Sequence, residues 1–186
     1  NHMEAVEASA CAMQTQAAEE ARARILVISE LWPEFTPDGT MVDPVTRLPV
    51  ATAPDRERFS RKLRAWISRM AGPETAIVIV GPKPELTYDA KHCFERPFRP
   101  ASQSCTRPAA SAEANLAPTR TLLTELAASL PNARYVEVAD VFCRGTTCSY
   151  LDVEGFPLLR DNGHLSREGS QLVVGHILDQ LATPID

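Results

Sequence analysis

Apolar residues recur along this chain in two rhythms. Ile25-Leu26-Val27-Ile28 and Ala76-Ile77-Val78-Ile79-Val80 are short unbroken runs of strand length. That is the pattern of strands buried on both faces of a parallel sheet. Between them Phe59, Leu63, Trp66, Ile67 and Met70 return at helical spacing, with Arg56, Arg58, Arg61, Lys62, Arg64 and Arg69 on the other faces. Asp55 is placed to cap this helix, and Gly72-Pro73 to end it. Trp66 reads as core packing and the arginines as a solvated face. A further helix is predicted over 109–130, closed by Pro131-Asn132, and a third strand over 135–141. The last helix follows Ser166, its N-cap, and presents Leu172, Val173, Ile177, Leu178 and Leu181 to the core. His176 lies off that stripe and reads as a surface residue. Residues 4–24, rich in alanine, glutamate and glutamine, read as helix. Strands alternating with helices predict an α/β fold, a central parallel sheet with helices on both faces.

Two long segments lack either rhythm. Residues 33–54 hold prolines at 33, 37, 44, 49 and 54 together with Asp38-Gly39. They read as a loop at the C-terminal end of a strand, where open α/β sheets place their sites. Residues 86–107, with Tyr88, His92, Phe94 and Phe98, read as a second irregular loop. Loops of this length are often functional, and substrate contacts are expected here.

Bulk properties narrow the function classes. The 186 residues suit one domain, and 44% hydrophobic with 23% charged residues is ordinary for a globular chain. A net charge of -5, without a basic stripe, gives no electrostatic case for nucleic acid. No apolar run is long enough to span a bilayer, and no signal peptide opens the sequence. Asn1-His2-Met3 reads as a cloning remnant, which predicts native sequence upstream.

The cysteines bear on compartment. Cys93 and Cys105 bracket a segment rich in proline and arginine, and Cys143 and Cys148 bracket Arg-Gly-Thr-Thr. Each pair is spaced for one disulfide. A zinc site is the rival, without the Cys-x-x-Cys spacing that argues for one. Free core cysteines are a third reading. Two disulfides are favoured, and with them an oxidising compartment. Cys11 is left over, its partner expected upstream.

The strongest chemical signal is Asp161-Asn162-Gly163-His164. Asn-Gly bends the backbone, so the aspartate and the histidine lie on one tight turn. A carboxylate that fixes one ring nitrogen leaves the other free as a general base. A loop carboxylate beside a solvated histidine is the plainer reading of the same spacing. Such a base needs a nucleophile, and neither Gly-Asp-Ser nor Gly-x-Ser-x-Gly occurs in these residues. Ser170 follows Gly169, and both belong inside the last helix and point to packing. Ser29, at the end of a strand, is the best internal candidate, although no neighbouring glycine permits a sharp turn.

Four stretches carry a family resemblance. They are Ile25 to Trp32, an apolar strand ending in tryptophan; Val80-Gly81-Pro82-Lys83-Pro84-Glu85 with Cys93 and Cys105; Val141-Phe142-Cys143 with Cys148; and Asp161-Asn162-Gly163-His164-Leu165-Ser166 with Gly169. Together they resemble an SGNH hydrolase-type domain of the kind fused to the C-terminus of membrane acyltransferase family 3 proteins. The resemblance implies an SGNH/flavodoxin-like three-layer sandwich over 4–186, with its first strand and Gly-Asp-Ser block lying before Cys11 and outside this sequence. It makes Asp161 and His164 the catalytic pair. The oxyanion-hole glycine and asparagine blocks have no match, and residues 30–32 fall where the asparagine block would be. It further implies O-acylation, chiefly O-acetylation, of an extracytoplasmic glycan, with the acyl group delivered by a membrane domain of the same native chain. No metal or organic cofactor is implied, and the expected location is periplasmic or otherwise extracytoplasmic, tethered to the inner membrane in the native protein. A carbohydrate esterase and a non-catalytic glycan-binding or scaffolding module are the alternatives.

Overall fold

The computed structural model describes residues 23–29, 32–36, 38–43, 48–50, 55–94, 98 and 100–182. The helix expected over 4–24 falls, but for its last two residues, outside them, as does Cys11. The first apolar run forms β1 (Ile25–Ile28) and the second β4 (Ala76–Val80), with β6 (Ala133–Val136) completing a parallel sheet in the order β1-β4-β6. Ile28 lies opposite Ile79, and Val80 opposite Val136.

Strand β4 is central, and its alternation divides the core. Ile77 and Ile79 pack with Ile67 of α1 (Arg56–Met70) and with Leu122, Leu123 and Leu126 of α2 (Ala109–Ala128). Val78 and Val80 face the other way, toward Phe142, Tyr150, Leu159 and Val173 of α3 (Arg167–Ala182). Helices therefore cover both faces, as the alternation of strands and helices requires. Asp55 caps α1 as expected, its carboxylate accepting from the Arg58 N–H at 2.7 Å.

Several elements depart from the sequence reading. Strand β1 is not buried on both faces: Ile25 is 59% and Val27 53% exposed, because the layer over Val78 does not reach it. The third strand stops at Val136, short of 141. There the Glu137 carboxylate accepts from the Val138 and Ala139 N–H groups at 3.0 and 2.9 Å and turns the chain into a 3₁₀ turn, Ala139–Val141. On α3, Val173 is buried and Ile177 and Leu181 are half-buried, but Leu172 and Leu178 are 47% and 60% exposed. Its apolar stripe is thus wider than the surface it packs on. His176 is half-buried rather than on the surface, with Nε2 2.7 Å from the Glu137 carbonyl oxygen.

The loops hold more order than their prolines suggested. β2 (Glu34–Phe35) pairs antiparallel with β3 (Met41–Val42), and Val42 bridges to Pro49. Residues 86–107 contain a 3₁₀ turn, Ala90–His92, and lead into β5 (Thr106–Pro108). This strand pairs with β8 (Thr147–Ser149), which pairs in turn with β7 (Cys143–Arg144). Both expected disulfides are formed: Cys93–Cys105 has its Cα atoms 4.7 Å apart, and Cys143–Cys148 has them 3.8 Å apart. The second joins directly opposed residues of β7 and β8. The Tyr150 N–H donates to the Cys105 carbonyl at 2.9 Å, so the two bridged loops brace one another.

Candidate active site

The turn at Asp161 is built by a single carboxylate. Asp161 Oδ1 accepts from the N–H groups of Gly163 at 2.9 Å and His164 at 2.7 Å, the local hydrogen bonding that aspartate offers in turns. The same side chain reaches the imidazole, with His164 Nδ1 2.8 Å from Oδ2 and 3.1 Å from Oδ1. The sequence reading of one shared turn thus holds in its geometry. Chiefly the His164 N–H, and after it the Gly163 N–H and the imidazole, hold the Asp161 carboxyl down at about 2 against an opposing effect of burial. The carboxylate therefore stays ionised and keeps Nδ1 as its partner. The His164 side chain is 65% exposed, and Nε2 has no protein partner among the described residues.

Backbone contacts fix this turn to the rest of the fold. The Arg160 N–H donates to the His164 carbonyl at 2.8 Å, and Leu159 bridges to Leu165. The Ser166 N–H donates to the Leu158 carbonyl at 2.9 Å, and its hydroxyl accepts from the Gly169 N–H at 3.0 Å, so Ser166 is the N-cap its position predicts. Gly169 does more than pack. A Cβ at this position would lie 2.0 Å from the Leu158 carbonyl oxygen, so only glycine lets the first turn of α3 sit this close to the 158–160 segment.

On the other side, the exit of β4 runs under the turn. The Leu86 N–H donates to the Asn162 carbonyl at 3.0 Å. The Glu85 carbonyl accepts from Arg107 at 2.9 Å and from the Tyr150 hydroxyl at 3.2 Å, locking the segment in place. Here sits a feature that sequence reasoning missed. Lys83 Nζ lies 3.5 Å from Glu85 Oε1, and both side chains are 15% exposed. Burial pushes the Lys83 ammonium down, while Glu85 and, more weakly, Asp161 pull it up. A half-buried cation whose charge interacts with Asp161 is legible only in three dimensions. The flanking Pro82 and Pro84 announced a rigid exit but not its partner.

The remaining candidates do not join the pair. Ser29 is exposed after β1, and no hydrogen bond links it to Asp161 or His164 among the described residues. Glu30 and Leu31 lie outside those residues. Trp32 is buried, with its indole N–H donating to the Val80 carbonyl at 2.7 Å, which ties the exit of β1 to that of β4. In the 86–107 segment, Tyr88 donates its hydroxyl to the Ser104 carbonyl, and Phe98 is fully exposed. Among the described residues no group of His, Cys, Asp or Glu is arranged to hold a metal ion. No helix among them is long and apolar enough to cross a membrane.

Known proteins share this fold. A solved structure with a similar fold is the periplasmic domain of a lipopolysaccharide acetyltransferase from Salmonella ser. Paratyphi A, with a TM-score of 0.57 and 14% identity. The match covers 92% of this chain but 61% of that one, so the chain spans about three-fifths of its structural relative. At this identity the likeness is one of fold. No curated protein matches the chain. The family model described as the SGNH domain (fused to AT3 domains) matches residues 2–179, and the chain belongs to that family.

Proposed function

We propose that the domain transfers acyl groups, chiefly acetyl, to hydroxyls of an extracytoplasmic glycan through a serine ester, with His164 as the base and Asp161 as its orienting partner. The observation that carries this reading is the pair itself: an ionised Asp161 held against His164 Nδ1, with Nε2 free on an exposed ring. Membership of a family fused to AT3 membrane domains supports a donor delivered from the membrane portion of the same native protein. The lipopolysaccharide acetyltransferase relative supports a glycan acceptor, and together with the two disulfides it supports a periplasmic location.

In the first step, His164 Nε2 takes the serine Oγ proton as the oxygen attacks the acyl carbonyl. The imidazolium so formed is stabilised by Asp161 and returns the proton to the departing donor group. In the second step, a sugar hydroxyl gives its proton to Nε2 and attacks the ester. The glycan ester forms, and the serine oxygen regains its proton. Proton transfer of this kind contributes about 10²–10⁴-fold in rate. The serine is proposed to come from sequence outside these 186 residues, which contain no Gly-Asp-Ser.

The test is the intact mass of the native-length protein after incubation with p-nitrophenyl acetate, beside a His164→Ala variant. One added acetyl, much slowed in the variant, is expected. If neither protein forms the adduct nor turns over the ester, the acyl-enzyme reading fails and a glycan-binding module is left. Rapid hydrolysis without transfer to any sugar would make the domain an esterase of the same chemistry.

A further inference from the structure

A groove of about 710 Å³ opens beside Leu158, larger than the small gap beside Lys83. Its volume is typical of clefts that take small ligands, about 300–1,000 Å³. The walls are the Cys143–Cys148 loop, the turn around Val153, and the first turns of α3. Phe142, Leu151, Phe156, Leu158 and Leu172 give it an apolar lining. Phe156 is 52% and Leu172 47% exposed, which leaves apolar surface open to a ligand.

The rim is polar and unevenly charged. Asp152, Glu154 and Glu168 supply carboxylates, Gln171 a carboxamide, and Arg144 the one cation among the lining residues. Asp152 Oδ1 is occupied by the Glu154 and Phe156 N–H groups at 2.9 and 2.8 Å, which shape the turn. The side chains of Glu154, Glu168 and Gln171 make no hydrogen bond to other described residues. An apolar face with an aromatic ring, bordered by unused hydrogen-bonding groups, matches a pyranose, which has C–H faces and a hydroxyl edge.

The groove borders the two segments that hold the His164 turn in place, at Leu158 before it and Glu168 after it. Leu158 lines it and also accepts the Ser166 N–H through its carbonyl oxygen, and Glu168 projects into it four residues after His164.

We propose that this groove holds the sugar units adjoining the acylated one, and that its carboxylates select neutral or cationic glycans over anionic ones. This rests on the glycan-acyltransfer reading above and adds the place and the charge class of the acceptor. The same carboxylates disfavour an anionic lipid surface as the occupant.

The experiment is calorimetric titration of the native-length protein with isomaltohexaose, a chitosan hexamer and hexagalacturonate. At least one of the neutral and cationic oligomers binds, and hexagalacturonate binds at least about tenfold more weakly. Phe156→Ala weakens binding by about fivefold or more, and Glu154→Gln narrows the gap between neutral and anionic oligomers. Both variants keep wild-type p-nitrophenyl acetate turnover, which shows that they are folded and that the pair is intact. The groove assignment is overturned if neither the neutral nor the cationic oligomer binds, if hexagalacturonate binds equally well, or if Phe156→Ala binds as wild type. An acetyl adduct without oligosaccharide binding rejects the groove and leaves acyl transfer standing. Groove-dependent binding without any adduct does the reverse.

Discussion

Gly169→Ala is the substitution that most directly probes how the fold aims His164. The added methyl would stand 2.0 Å from the Leu158 carbonyl oxygen and 2.9 Å from its carbon. A relaxed carbon–oxygen contact is about 3.3 Å, so α3 and the 158–160 segment must part by more than about 1 Å. Both neighbours are backbone, so no side chain can swing aside. The Ser166 N–H bond to that same carbonyl is in the path of the movement, and the Arg160-to-His164 bond follows two residues on. Overpacking of this kind costs about 1–3 kcal/mol. For a chain of this size that lowers Tm by roughly 2–12 °C. A catalytic group displaced by about 1 Å loses on the order of a hundredfold in rate. The assay pairs thermal unfolding by circular dichroism with the acetyl-adduct rate of the native-length protein, taken well below the transition of the variant. The adduct rate is expected to fall far more than the folded fraction does. An unchanged Tm with an unchanged rate would refute the close approach and its role in aiming His164.

Other outcomes follow from the same geometry. Asp161→Asn keeps an oxygen to accept the Gly163 and His164 N–H groups but loses the charge that strengthens those bonds, so Tm near pH 7 should fall modestly, while the adduct rate falls by about 10²–10⁴-fold; a rate loss no larger than the loss of folded protein would show that the carboxylate serves only the turn. The Asp161 carboxyl, at about 2 when folded against 3.8 as the ordinary value, contributes stability that is full above about pH 4 and is lost as pH falls through about 2. Acid titration of unfolding free energy should therefore fall more steeply between pH 4 and 2 in the wild type than in Asp161→Asn; parallel curves would refute it. Replacing both cysteines of a pair by serine should cost about 2 kcal/mol for Cys143–Cys148 and about 3 kcal/mol for Cys93–Cys105, by loop length, as read from urea unfolding. Equal stability of the oxidised wild type and either double variant would contradict that.

The sequence made the scaffold legible where one physical cause dominated. Unbroken apolar runs marked β1 and β4, the stripe from Phe59 to Met70 with Asp55 ahead of it marked α1, and spacing marked both disulfides. It misled where a tertiary partner decided the outcome. Glu137 looked like one more residue of a strand, yet its carboxylate caps the following N–H groups and ends that strand. Leu172 and Leu178 follow a helical stripe, but the surface beneath α3 is too narrow to bury them. His176 lies off the stripe and is still drawn in by a carbonyl from β6's exit. At the site, Asp161 and His164 were readable because a turn of three residues brings them together locally. Lys83 was not, since its nearness to Asp161 depends on two segments far apart in the chain. Gly169 showed itself as a packing glycine, but the identity of its neighbour, the backbone that orients His164, required the fold.

The two duties of the Asp161 carboxylate bear on how such motifs are to be interpreted. One oxygen, Oδ1, shapes the turn while its mate faces the imidazole ring. A descendant that had lost its nucleophile would still be under pressure to keep this aspartate, because the bend needs it. An intact Asp-x-x-His signature is therefore a sound marker of shape and a poor certificate of turnover. Survival of the histidine, whose side chain the turn does not require, is the better sign that the chemistry is still in use.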